Sequence, residues 1–237
     1  MREFFSIHAY LLAILLGVPF VLAAYLFAIA QRRTMLISGL GLVAAFPLAA
    51  IYQDEYWSPV RLWGGRVGLE DIVFTFSLGS LVWLAAAWPF RGRLTFRVKA
   101  ATFLRRYAAS FAVGLAVMTV LWLIGLGAMP AGIIANVFIT MVLLNVRRDL
   151  WRLSLSAALI VTPWYCGLLY VASFLLPTFF SMWNPDSLWG ARIFGLPLEE
   201  VVWVATFSAA YSHVVAYAID ARLTSVDAAT GRMSAQS

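Results

Sequence analysis

The sequence predicts an all-α polytopic membrane bundle of about seven helices, arranged as two parallel three-helix repeats joined by a connecting helix. Three observations predict it. The 237 residues are 63% hydrophobic and 12% charged, with a mean hydropathy of +0.87, far from the balance of a soluble domain. Several apolar runs are long enough to span a bilayer, and one loop sequence occurs twice.

Runs of about 18 apolar residues cross a hydrocarbon core of about 30 Å as helices. They fall at 8–30, 35–53, 70–90, 107–129, 131–146, 153–178 and 199–220. Ala28–Ala30 has the small-x-small form of a signal cleavage site, which would make the first run removable. Arg32 and Arg33 just beyond it would hinder export, so the run is read as a retained span. The fourth and fifth spans read as a hairpin, because Pro130, Ala131 and Gly132 make a tight turn.

An odd number of spans puts the termini on opposite sides. With the N-terminus outside, most of the 17 basic residues lie on cytoplasmic segments, above all Arg91, Arg93, Arg97, Lys99, Arg105 and Arg106. This bias predicts an N-out, C-in protein of the cell (inner) membrane. It also accounts for the net charge of +6 without nucleic acid: the basic segment sets topology and faces anionic headgroups, and no stacking platform is interleaved with it. Cys166 is the only cysteine and the two histidines are far apart, which argues against a disulfide or a zinc site. Gly-Leu-Gly at 39–41 and 125–127 sits within apolar spans and lacks the setting of a dinucleotide fingerprint. No cofactor and no metal are called for.

The repeat is read from "WSPVRLWGGRVGLED" at 57–71 and "WNPDSLWGARIFGLPLEE" at 183–200. Trp57/Trp183, Pro59/Pro185, Leu62/Leu188, Trp63/Trp189, Gly64/Gly190 and Arg66/Arg192 coincide at one constant offset, after which three extra residues enter the second copy. Each copy ends in paired acids, Glu70-Asp71 and Glu199-Glu200, at the start of a span. The two loops are an even number of spans apart and open on one face. Parallel repeats related by an axis along the membrane normal follow, with 1–92 as the first, 93–130 as basic linker and connecting helix, 131–222 as the second, and 223–237 as a cytoplasmic tail expected to be disordered.

The plain reading of each pair is a set of helix-start residues that complement the dipole; Pro197 suits a first helical turn. A functional reading stands beside it. An aromatic follows each lead acid by four residues, Phe74 after Glu70 and Trp203 after Glu199, so ring and acid share a face. Arg66 and Arg192 could hold one carboxylate ionised while its desolvated neighbour stays protonated. A protonated acid beside ring faces can protonate an alkene and shelter the resulting cation. Because neighbouring helical residues diverge by about 100°, one acid of each pair is expected to line the cavity, with Glu199 and Glu70 favoured. Trp63 and Trp189 are candidate wall residues. Asp54, Glu55 and Asp186 read as solvated interfacial acids, His8 as interfacial, His213 as a hydrogen-bonded interior histidine, and Asn136 and Asn145 as interhelical glue.

"GLPLEEVVW" after "WNPDSLWGARIF", with the degenerate "GLED" after "WSPVRLWGGRV", resembles the lycopene cyclase domain family, small membrane carotenoid cyclases that occur as heterodimers or as fusions of two three-span halves. In that family a Pro-x-Glu-Glu or Pro-x-Glu-Asp motif opens a span in each half. The resemblance implies catalytic roles for Glu199, Glu200, Glu70 and Asp71, and departs from the pattern where Gly68-Leu69 replaces Pro-x. It implies an isomerase of carotenoid biosynthesis that cyclises the end group of a lycopene-like substrate without redox change. Phe74, Trp203, Trp63, Trp189, Arg66 and Arg192 would bind the substrate. The alternatives are a cyclase of another polyprenyl or terpenoid compound, or a non-catalytic lipid-binding or complex-forming membrane protein. The partners expected are a lipophilic polyene and the bilayer, with homo-oligomers or other carotenoid enzymes left open.

Overall fold

Apolar runs without internal water must satisfy their own backbone groups, and these runs do so as helices. A computed structural model describes residues 8–53 and 55–224. The described residues form α1 (Ala9–Phe27), α2 (Arg32–Val43), α3 (Ala49–Tyr52), α4 (Leu69–Ala87), α5 (Ala100–Leu123), α6 (Ala128–Val146), α7 (Trp151–Leu175) and α8 (Leu198–Ala218). Six are long and apolar enough to cross a membrane, and the bent pair Ile29–Val43 and Phe46–Tyr52, broken by 40°, makes a seventh if taken as one span. The chain is an all-α polytopic membrane protein.

Several boundaries differ from expectation for local reasons. Pro47 lies in the short 3₁₀ turn Phe46–Leu48, and a proline lacks the N–H and the room that a continuous helix needs, so the second span breaks there. The hairpin turn lies before Pro130 rather than at it: Gly125 has φ 93°, and Pro130 sits in the first turn of α6, where its missing N–H is harmless. The fourth span starts at Ala100, so Arg105 and Arg106 are helical. Asp54 and most of the expected 223–237 tail lie outside the described residues.

The bundle has two dissimilar ends. At the basic end, β1 (Leu94–Thr95) pairs with β4 (Arg222–Leu223), Arg97 N–H donates to the Ile219 carbonyl at 2.9 Å, and Arg106 and Arg147 reach Asp220 at 3.3 and 3.6 Å. At the other end, the loops 55–68 and 176–197 meet through an antiparallel bridge between Trp57 and Trp183. Ser58 N–H donates to Met182 O at 2.8 Å and Asn184 N–H to Tyr56 O at 2.9 Å. These two bonds exchange when the two sequence copies are swapped. Gly64 and Gly190, which correspond, both have positive φ, 69° and 78°, a conformation that disfavours other residues. The three extra residues of the second copy build a hairpin, β2 (Arg192–Ile193) on β3 (Leu196–Pro197). Its two turn residues, Phe194 and Gly195, have φ 51° and 82°, as a two-residue primed turn requires.

Burial orders the helices. More than half of the span of α8 is buried, 56%, against 11% for α5, so α8 is the central helix and α5 the peripheral one. Its small and polar residues Ser208, Ser212 and His213 are fully enclosed, and His213 Nδ1 lies 3.0 Å from Ser154 Oγ, consistent with the interior histidine expected. Asn145 is not interhelical glue: its amide donates to Met141 O in its own helix at 3.0 Å.

Candidate active site

Helix starts at the loop end bring all four motif acids inside. Glu70, Asp71, Glu199 and Glu200 lie in the first turns of α4 and α8, as the plain reading has it, and are at most 4% exposed. Between the helices lies a cavity of about 310 Å³, within the range of small-molecule sites. Its acidic lining residues are Asp71 and Glu200, the second acid of each pair.

The first acids face their own loops instead. Glu70 accepts the Leu62 N–H at 2.5 Å, and Glu199 accepts the Trp189 N–H at 3.0 Å. In each, the other carboxyl oxygen is buried without a hydrogen-bond partner. The expected preference for Glu199 and Glu70 as cavity residues is therefore corrected. The physical reason lies in helix phase: Glu200 precedes Trp203 by three, Phe207 by seven and Tyr211 by eleven, the spacing of one helix face, and all four line the cavity. Asp71 stands in the same relation to Phe74 and Leu78.

The two cavity acids have unlike surroundings. Asp71 takes four donors: Arg61 Nε at 2.7 Å and Nη2 at 3.3 Å, Tyr10 Oη at 2.9 Å, and Gly68 N–H at 2.7 Å. The ion pair is closed from solvent, with side-chain exposures of 0% and 3%, and the guanidinium lies 5.6 Å from the Trp57 ring centroid. A guanidinium and two further donors thus occupy both oxygens of Asp71. Glu200 takes three neutral donors: Tyr56 Oη at 2.9 Å and Trp183 Nε1 at 2.8 Å on Oε1, and Tyr165 Oη at 3.0 Å on Oε2. Burial first, and then the facing Glu200, push the Tyr56 hydroxyl upward, so it remains a donor at neutral pH.

The remaining wall is aromatic. Trp203 stacks on Phe207 at 5.2 Å and Phe207 on Tyr211 at 5.5 Å, between centroids, while Tyr165 leans on Trp203 at 6.1 Å. These rings descend one face of α8 from Glu200, a ladder of about 12 Å from Trp203 to Tyr211 at 1.5 Å per residue.

Trp203 and Phe74 line the cavity as expected. Trp63 and Trp189 do not: they are 76% and 46% exposed, and the cavity tryptophans are Trp57, Trp164, Trp183 and Trp203. The expected arginines are also elsewhere. Arg66 is exposed in its loop, Arg192 donates to Gly195 O within its hairpin at 3.1 Å, and the cation that reaches Asp71 is Arg61. Glu55 is half-buried and caps α6: it accepts Ala128 N–H at 2.6 Å and Trp122 Nε1 at 3.1 Å. Asp186 is exposed, as read. Asn136 lines the cavity. Tyr10, Tyr56 and Tyr165 carried no motif signal, Trp183 was marked only as the first residue of the second loop copy, and Phe207 and Tyr211 were within reach of a periodicity argument. Among the described residues no three His, Cys, Asp or Glu side chains cluster as metal ligands.

Residues 127–218 match the lycopene cyclase family. The matched segment contains α6, α7 and α8 with Glu199 and Glu200, so the resemblance seen in the motif extends over a whole three-helix unit. It supports a carotenoid cyclase-like role and a lipophilic substrate met in a lipid environment. No curated protein matches the chain, and no solved structure does.

Proposed function

We propose that the protein cyclises the end group of a lycopene-like carotenoid by acid initiation, with Glu200 as the proton donor. One observation carries this reading: Glu200 is a buried carboxyl group on an aromatic cavity wall whose three partners, Tyr56, Tyr165 and Trp183, are all neutral. Its two oxygens differ. Trp183 Nε1–H can only donate, and together with Tyr56 it fills Oε1, so the proton belongs on Oε2, where Tyr165 is the single neighbour. From there it is delivered to the terminal double bond. The carbocation is sheltered by the faces of Trp203 and Phe207, and the carboxylate left behind is stabilised by donors already in place, which need no reorganisation during the reaction.

Asp71 has another part in this reading. With both oxygens occupied by the Arg61 guanidinium, Tyr10 and Gly68 N–H, it fixes Arg61, Tyr10 and the first loop as one rigid side of the cavity. The corresponding meeting of Trp57 and Trp183 supports two repeats that close one site between them. The substrate would enter from the lipid as an extended chain, with N-out, C-in topology placing the acids toward the outer face.

Expression in cells that accumulate lycopene tests the reading. Conversion to a product with the mass of lycopene and a cyclic end group is expected. Membrane insertion without any change in the carotenoid profile would reject it, and conversion only of another polyprenyl compound would move the assignment to that substrate.

A further inference from the structure

Acid-initiated cyclisation needs a base as well as an acid, because the ring cation must lose a proton to form its double bond. We propose that Glu200 is both, and that the cavity runs a closed proton cycle in which the hydrogen taken from one substrate molecule is given to the next. This rests on the function proposed above.

The assignment follows by comparing the groups available. Asp71, the other carboxylate on the cavity wall, has each oxygen occupied by two donors, Tyr10 and Arg61 Nη2 on Oδ1, Arg61 Nε and Gly68 N–H on Oδ2. To accept a proton it would have to break an ion pair closed from solvent, which makes it a poor base. Tyr56, Tyr165 and Trp183 are donors to Glu200 and are weak bases in any neutral form. Once Glu200 has given up its proton, Oε2 keeps only Tyr165 and is the least occupied anionic oxygen on the cavity wall.

The step balances without any co-reactant. The electrons of the terminal double bond take the Oε2 proton and form a C–H bond, which leaves a cation on the adjoining carbon. The neighbouring double bond attacks that cation and closes the ring, which moves the positive charge to a ring carbon. A C–H bond next to that carbon then breaks, its electrons form the ring double bond, and its proton returns to Oε2. The product is an isomer of the substrate, and Glu200 is restored to its starting state.

Return to the same oxygen is favoured by electrostatics, since the carboxylate is created beside the cation it must neutralise, in a medium where their attraction is weakly screened. Exchange of this proton with solvent is opposed by burial. Glu200 is 4% exposed, and its partners Tyr56, Tyr165 and Trp183 are 3%, 6% and 7% exposed. The acid next to it, Glu199, is 0% exposed and is turned to the Trp189 backbone, so it offers no carboxylate relay to the surface.

The test is isotope transfer between substrate molecules. The purified full chain in lipid vesicles is given an equal mixture of perdeuterated and unlabelled lycopene in ordinary water, and the cyclised products are analysed by mass spectrometry. Unlabelled-skeleton products carrying one deuterium per ring are expected in a share approaching half, since only a previous labelled molecule can supply it through the acid. Cyclised unlabelled products that contain no deuterium would overturn the closed cycle and leave the cyclase reading intact. Absence of cyclised product altogether would reject the cyclase reading, and the cycle with it.

Discussion

Asp71 and Glu200 occupy matching places at the head of α4 and α8, and both line the cavity, yet one is ion-paired and the other is held by neutral donors alone. The difference in charge lies at one loop position. Arg61 of the first sequence copy corresponds to Ser187 of the second. Arg61 turns inward onto Asp71, while the Ser187 hydroxyl donates to the Glu55 carbonyl and never reaches Glu200. The tryptophans register the same asymmetry: Trp183 Nε1 donates to Glu200, whereas Trp57 Nε1 is buried without a partner, its potential acceptor taken by Arg61 and Tyr10. The two loop copies thus surround their acids differently, and Arg61 is the charged difference between them.

The largest expected effect separates the two roles directly. Glu200→Gln should lower kcat by about 10²–10⁴-fold, the usual worth of a positioned general acid, with unfolding temperature in detergent nearly unchanged; comparable turnover would remove Glu200 from the chemistry. Arg61→Met should act on stability instead. Leaving Asp71 buried without its cation costs about 3–5 kcal/mol, read as a lowered thermal unfolding midpoint, and the double variant Arg61→Met/Asp71→Leu should regain most of that loss. If the double variant is no more stable than the single one, the ion pair is not the strut described here.

Ser187→Arg sharpens the comparison by supplying the missing cation to the second site. An arginine reaching Glu200 would hold it ionised, so turnover should fall by about tenfold or more while the protein still folds, and an unchanged rate would mean that charge at this position is irrelevant. The smallest effect is expected from the first acids. Glu70→Gln and Glu199→Gln keep a carbonyl oxygen for the Leu62 and Trp189 N–H groups, and turnover should stay within about threefold of the parent by the ordinary scale of a retained neutral hydrogen bond. A loss as large as that of Glu200→Gln would return catalysis to the first acid of the pair.

Much of this was readable from residue order. Apolar run length identified the spans, the Trp57–Arg66 and Trp183–Arg192 copies identified the two loops that meet, and the paired acids marked the helix starts that become buried. The choice within each pair is ambiguous in the sequence, because a single aromatic at i+4 favours Glu199 while the longer series at i+3, i+7 and i+11 favours Glu200. Trp63 and Trp189 were misread because loop identity between copies says that a residue is repeated without saying which way it points.

Local chemistry and span length act along the chain, so hydropathy, helix ends and the duplicated loop could be inferred with no knowledge of contacts. Partnership across the bundle could not. Tyr10 lies 61 residues from Asp71 and Tyr56 lies 144 from Glu200, and nothing in their neighbourhoods announces either bond. Whether a buried carboxyl group is a strut or an acid depends on the charges and donors that folding brings within about 3 Å, which is why the packed helices, rather than the motif, decide between Asp71 and Glu200.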